Sequence, residues 1–231
     1  GSRNLSHWFT RASISIMSEQ NISLILIILL SYMVGSISGG VIIGKFRNVD
    51  IRKKGSKAAG ATNAFRTMGA LFALLVLIID VYKGYFATYY ISHLLNQTTN
   101  EAKALAGFSV IIGHVYPLYF KFKGGKGVGT ALGTLFAFPE FHFTAGIGFL
   151  SWIMNLILTG FVSLGSIIAG IIVSIVFILE NNCVFNELTI YIIFISVFFI
   201  LTHRKNIQRL LTGKENQFKK IMIINLFKKN D

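Results

Sequence analysis

Long apolar runs, separated by short polar connections, set the pattern of this chain. A helix needs roughly 17 to 25 predominantly apolar residues to cross a bilayer. Residues 22–43, 70–95, 104–120, 163–179 and 188–201 read as such helices. The stretch 128–158 is too long for one span, and Pro139 with Glu140 divides it into 128–138 and 141–158, because proline ends a helix. The pattern predicts an all-α, polytopic transmembrane helical bundle of about seven spans, one of them short. The same sidedness follows from five crossings if 128–158 is a re-entrant pair.

Charge orients this bundle. Of 231 residues 53% are hydrophobic and only 13% charged, where a soluble domain carries about 25%. The 22 Lys and Arg against 9 Asp and Glu leave a net charge of +13. The excess crowds into residues 45–66, 121–126 and 204–220, whereas the alternate connections 96–103, 139–140 and 181–187 are poor in it. By the positive-inside rule the N-terminus lies outside and the C-terminus is cytoplasmic. Basic residues lodged between apolar blocks point to a lipid bilayer and anionic substrates, not to nucleic acid. Cys183 is alone, so one chain has no disulfide framework and no thiolate zinc site.

Residues 1–18 are set apart from residues 19–220, the membrane domain, and 221–231 are a C-terminal tail. Gly1 and Ser2 have the look of a cloning remnant, and Met17 fits a natural start.

Three polar clusters carry the candidate chemistry. The first, DIRKKGSKAAGATNAFR over 50–66, offers backbone N–H groups and the short side chains of Ser56, Thr62 and Asn63, ringed by Arg52, Lys53, Lys54 and Lys57. Such a loop suits phosphate, whose oxygens accept several hydrogen bonds at once. The plainer reading is a basic loop anchored on lipid headgroups. In the second, KFKGGKGVGT over 121–130, Gly124, Gly125 and Gly127 allow close backbone approach to a ligand beside Lys126, and a helix starts at Val128. Phe120 and Gly127 occupy positions that a Walker A loop gives to Gly and Ser or Thr, so this is no such loop. The plainer alternative is a flexible turn. The third, HRKNIQRLLTGKE over 203–215, sets His203 and Asn206 on one face of a helix, with His suited to proton transfer near neutral pH. Asp80 and Lys83, three apart inside an apolar run, suggest a polar cavity or a structural ion pair. His114 and Ser36 stand at span ends and read equally as packing residues.

These motifs in order, GSISGG, DIRKKGS with GATNAFR, DVYKG, GHVYP with FKGGKGV, VSLGS and HRKNIQRLLTGKE, resemble the bacterial acyl-phosphate-dependent glycerol-3-phosphate 1-acyltransferases over residues 24–218. The resemblance implies acyl transfer from acyl phosphate to glycerol 3-phosphate, giving 1-acyl-glycerol 3-phosphate (lysophosphatidic acid) and phosphate, at the bacterial cytoplasmic membrane. It implies catalytic roles for His203, Asn206 and the arginines of the first motif, Arg52 foremost; the residues themselves add Ser36 and Lys83 as catalytic candidates. Substrate binding would fall to Ser56, Asn63, Gly124, Gly125, Lys126, Gly127, His114 and Ser163. Glu215 looks structural, and neither metal nor cofactor is expected. The family usually has Gly-Asn where Lys57-Ala58 stands here, which transfers part of the expected phosphate binding to Lys57. It also tends to carry Arg before the VSL turn, where this chain has Thr159, Gly160 and Phe161. A transporter of organic anions is the rival reading, suited by Asp80 and Lys83 at membrane depth and by interrupted helices. The polar residues gather at one face and no internal repeat is evident, which favours the enzyme.

Overall fold

The computed structural model describes residues 2–219 and 222, with side chains from residue 19 onward. Each of the seven apolar runs is helical over most of its length, the first of them split in two. The elements are α1 (Ser2–Gly35), α2 (Gly39–Lys45), α3 (Ala61–Met68), α4 (Ala70–Phe86), α5 (Ser92–Leu94), α6 (Asn100–Val115), α7 (Val128–Phe136), α8 (His142–Thr159), α9 (Val162–Glu180), α10 (Glu187–Thr202) and α11 (Arg204–Leu211). The leader set apart on sequence grounds is backbone-continuous with α1. The side chains before residue 19 and most of the tail lie outside the described residues.

Among the described residues, four helical segments are long and apolar enough to cross a membrane: Glu19–Lys45, Ala70–Leu94, Pro139–Thr159 and Val162–Glu180. Joining α10 to α11 across their 57° bend adds a fifth. α6 has 16 residues and α7 only nine. At 1.5 Å per residue α7 is about 14 Å long, half a bilayer core.

The breaks have local causes. The first apolar run divides at Ser36–Ser38, where Ser38 caps α2 by accepting from the Val41 N–H. Thr99 caps α6 through the Ala102 N–H, which starts that helix four residues earlier than apolar patterning alone predicts. Pro117 follows its end. Pro139 separates α7 from α8 as the sequence predicts, and Asn186 caps α10.

Between the helices, glycine permits the closest crossings, as is usual where lipid removes the hydrophobic drive for helix association. A Cβ on Gly35 would overlap the Val110 carbonyl, and one on Gly113 the Tyr32 carbonyl, so α1 and α6 meet backbone to backbone. Gly84 and Gly133 do the same for α4 and α7. Phe138, Phe141, Phe177 and Tyr191 are buried together in the main core.

Side-chain bonds then bring one end of the bundle together. Leu118 N–H donates to Ser36 Oγ (3.1 Å), Thr202 Oγ1 to the Lys126 carbonyl (3.1 Å), and Gln217 Nε2 to the Thr159 carbonyl (2.8 Å). The ends of α1, α6, α8 and α10 and the starts of α7 and α9 therefore meet where the three basic clusters lie.

Candidate active site

A cavity of about 510 Å³ opens at this end. Its head is polar: Ser56, Arg66, Lys126, His203, Asn206 and Glu215 line it, with Asp80 and His114 at one side. Its body is an apolar trough lined by Leu132 and Leu135 of α7, Trp152 and Leu156 of α8, Val173 of α9 and Phe199 of α10.

The first basic loop is held in shape by one residue. The Asn63 amide nitrogen donates to the carbonyls of Ile51 (2.7 Å), Lys54 (3.1 Å) and Ala58 (2.9 Å), while its oxygen accepts from the Ser56 N–H (2.9 Å). Asn63 is buried and fully engaged, so it shapes the loop and has no donor left for a ligand. Its work leaves the Ser56 hydroxyl on the cavity without a hydrogen bond among the described residues. One helical turn beyond Asn63, Arg66 also reaches the cavity, its guanidinium 5.0 Å from the Phe218 ring centre and in no ion pair among the described residues.

The glycine loop behaves differently from its sequence expectation. The N–H groups of Gly124 and Gly125 are taken by the carbonyls of Val115 (3.2 Å) and His114 (3.2 Å). Cβ atoms there would overlap the His114 carbonyl and the His114 ring respectively. These two glycines serve close packing of the loop on α6. The anion-facing donors lie further on: the N–H groups of Val128, Gly129 and Thr130 meet no carbonyl among the described residues, and no side chain caps α7. Gly127 caps that helix at φ +89°, a conformation open to glycine. The positive end of α7 thus faces the cavity beside Lys126. Lys126 Nζ has no hydrogen-bond or ion-pair partner among the described residues, and burial brings its pKa down to about 8, partly offset by the Glu215 charge.

At the end of α10, His203 Nδ1 lies 2.8 Å from the Phe199 carbonyl. A carbonyl only accepts, so Nδ1 carries the proton and the neutral ring presents the Nε2 lone pair. Glu215 collects its neighbours: Oε1 accepts from Asn206 Nδ2 (2.7 Å) and Ser163 Oγ (3.0 Å), and Oε2 accepts from Arg209 Nε (2.7 Å). Burial alone would raise the Glu215 carboxyl, but these bonds from Arg209, Asn206 and Ser163 bring it below the usual carboxylate range.

Besides Gly124 and Gly125, three expected site residues do not line the cavity. Arg52 makes a bidentate pair with Asp50 (Nε–Oδ1 2.9 Å, Nη2–Oδ2 3.0 Å), donates to the Phe120 carbonyl, and does not line the cavity. Ser36 donates to the Tyr32 carbonyl (2.9 Å) and accepts from Leu118, also away from the lining. Lys83 directs its ammonium to the Ile37 carbonyl (2.7 Å), Asp80 Oδ1 (3.0 Å) and His114 Nδ1 (2.8 Å). An ammonium has three donors, so none remains for a phosphate. Lys57, the expected substitute cation, is exposed and outside the lining. Of the two arginines in the first motif, Arg66 and not Arg52 lines the cavity, one helical turn beyond Asn63 on α3.

Fold and cavity together define a helical integral membrane protein whose polar, cation-lined head opens into an apolar trough. A family model for glycerol-3-phosphate acyltransferases matches residues 25–213. The chain is 40% identical over 195 residues to glycerol-3-phosphate acyltransferase 2 of Bacillus anthracis, covering 84% of this chain and 98% of that one. It is 41% identical over 195 residues to the glycerol-3-phosphate acyltransferase of Fusobacterium nucleatum, covering 83% and 96%. Among solved structures, the glycerol 3-phosphate form of PlsY (YgiH), an integral membrane glycerol 3-phosphate acyltransferase, superposes with a TM-score of 0.78 at 35% identity, covering 86% of this chain and 97% of that one. The lysophosphatidic acid form of the same protein gives 0.76. The chain belongs to the glycerol-3-phosphate acyltransferase family.

Proposed function

We propose that the chain transfers an acyl group from acyl phosphate to the 1-hydroxyl of glycerol 3-phosphate, releasing lysophosphatidic acid and inorganic phosphate. One observation carries this reading: the cavity joins cations and helix N–H groups that are unpaired among the described residues to a trough suited to an alkyl chain. Two phosphate-bearing substrates repel each other unless cations stand between them, and Arg66 and Lys126 supply that screening. The N–H groups at the start of α7 and the Ser56 hydroxyl complete the phosphate contacts.

The reaction needs positioning more than covalent catalysis, because acyl phosphate is a mixed anhydride with a good leaving group. The glycerol hydroxyl oxygen forms the new ester bond at the acyl carbon. The bond from that carbon to the phosphate oxygen breaks, and phosphate leaves with the bonding pair. The hydroxyl proton passes to His203 Nε2 or to the departing phosphate. Asn206, oriented by Glu215, turns its amide oxygen to the glycerol hydroxyls, and Ser163 is held beside it. Ser36 carries no acyl group in this scheme, since its hydroxyl is committed within the protein.

The basic end of the bundle is read as the cytoplasmic side of a bacterial membrane, with the N-terminus outside. The gathering of all three basic clusters at that end supports this, and seven crossings follow if α6 and the short α7 each count as one. The donor is tested with purified protein in detergent, glycerol 3-phosphate, and either dodecanoyl phosphate or a dodecanoyl thioester. Phosphate release together with lysophosphatidic acid from the first donor alone is expected. Thiol release from the thioester, with nothing from acyl phosphate, contradicts it.

A further inference from the structure

We infer that the trough is a ruler for the acyl chain, closed at its far end by Leu135, Ala145 and Val173. The inference rests on the acyltransferase reading and names the part of the substrate that reading leaves open. Leu135, Ala145 and Val173 line the cavity and at the same time belong to the main buried core. Immediately behind them the core is aromatic and does not line the cavity. Phe138 and Phe141 stand 5.3 Å apart, Phe141 and Phe177 4.6 Å, and Phe138 and Tyr191 5.5 Å between ring centres. All four rings are buried, and Tyr191 is tied in place by its hydroxyl donating to Thr134 Oγ1 at 2.6 Å. A chain end arriving there meets a packed wall, and native packing density leaves no room for additional methylenes without displacing it.

The length of the trough follows from helix geometry. Ser163, beside the polar head, and Val173, at the wall, lie ten residues apart on α9, about 15 Å of rise. A fully extended chain advances about 1.2 Å per bond, taking the extended polypeptide as the measure, so the trough holds about twelve carbons beyond the reacting carbonyl. Ala145 and Gly148 on α8 keep the far part open. Gly148 has no space to spare, because a Cβ there would overlap Val173. Ala145 is therefore the position where added side-chain volume enters the trough floor, and Val173 the one where removed volume deepens it.

The test is kcat/KM for a series of saturated acyl donors from eight to eighteen carbons, with purified wild type, Ala145→Leu and Val173→Ala. Ala145→Leu is expected to keep wild-type rates with the eight-carbon donor and to lose at least tenfold with twelve carbons. Val173→Ala is expected to move the optimum about two carbons longer. Undiminished short-chain activity also shows that Ala145→Leu is folded. Loss that is equal at every length, or profiles unchanged in both variants, overturns the ruler while leaving acyl transfer intact. If wild type transfers none of the donors, the acyltransferase reading itself fails, and that outcome differs from the other two.

Discussion

Asn206 donates its amide N–H to Glu215 at 2.7 Å, and this bond turns the Asn206 side chain toward the cavity that His203 shares. Glu215 acts through its neighbours, since the same carboxylate also holds Ser163 and Arg209. Glu215→Ala frees all three, and a lost bond to a charged, buried group costs about 1.5 to 3 kcal/mol. A fall in kcat of about tenfold to hundredfold is expected, with Glu215→Gln between that and wild type because it keeps one acceptor oxygen. Steady-state kinetics of both variants check it; equal activity in the two would remove the carboxylate from the account. The carboxyl is held below its ordinary range, so its bonds persist above that range and loosen only as pH falls through the lowered value.

Lys126 sets the alkaline limit. Burial brings its pKa to about 8, so above that pH a growing fraction of the protein has a neutral amine facing the substrate phosphates. The sign is therefore weaker binding with rising pH: KM for glycerol 3-phosphate should climb by up to about tenfold per unit above pH 8. Lys126→Arg keeps its charge across this range and should flatten the climb. KM measured from pH 6.5 to 9.5 in both proteins decides; parallel profiles would assign the alkaline loss to another group.

Asn63 should be intolerant of even conservative change. It donates to three loop carbonyls and accepts from the Ser56 N–H, and an aspartate side chain in its place would set a carboxylate oxygen against those carbonyls. Asn63→Asp is expected to destabilise the protein by about 3 kcal/mol and to act at least as badly as Asn63→Ala. Thermal unfolding in detergent provides the measure, and wild-type stability in Asn63→Asp would contradict the assigned role.

Gly124 and Gly125 make a complementary prediction. Their N–H groups are used within the protein, so replacement acts through loop position and not through loss of an anion donor. Gly124→Ala collides with the backbone carbonyl of His114, which has no rotamer by which to move aside. A shift of about 1 Å in Lys126 and the start of α7 is expected to cost on the order of a hundredfold in kcat/KM. Activity near wild type would show that the loop absorbs the collision elsewhere.

How the sequence foreshadowed this site depends on whether the relevant force is local. Pro139 divided two helices as predicted, because a proline acts on its own backbone. Lys126, Ser56, His203 and Asn206, each singled out by its own motif, line the cavity. Arg52 was legible as a cation but not as a committed one: its charge is met by Asp50, two residues earlier, once the chain turns there. Lys83 at membrane depth suggested a polar cavity or an ion pair; besides Asp80 it meets Ile37, in the break between α1 and α2, and His114 of α6, partners invisible along the chain. The glycine run suggested free N–H groups; only the fold reveals that α6 carbonyls use the first two. The α1–α2 break likewise depends on Ser38 as a cap inside an apolar run, where hydropathy alone reads one continuous helix.

The central claim is that the cations of this cavity bring two phosphates together for direct acyl transfer. Its most direct measurement is phosphate release from acyl phosphate by purified protein, with and without glycerol 3-phosphate, in wild type, Arg66→Ala and Lys126→Met. The account predicts release in wild type only when glycerol 3-phosphate is present, and a fall of about a hundredfold or more in either variant. Release without glycerol 3-phosphate, or variants that match wild type, would contradict it.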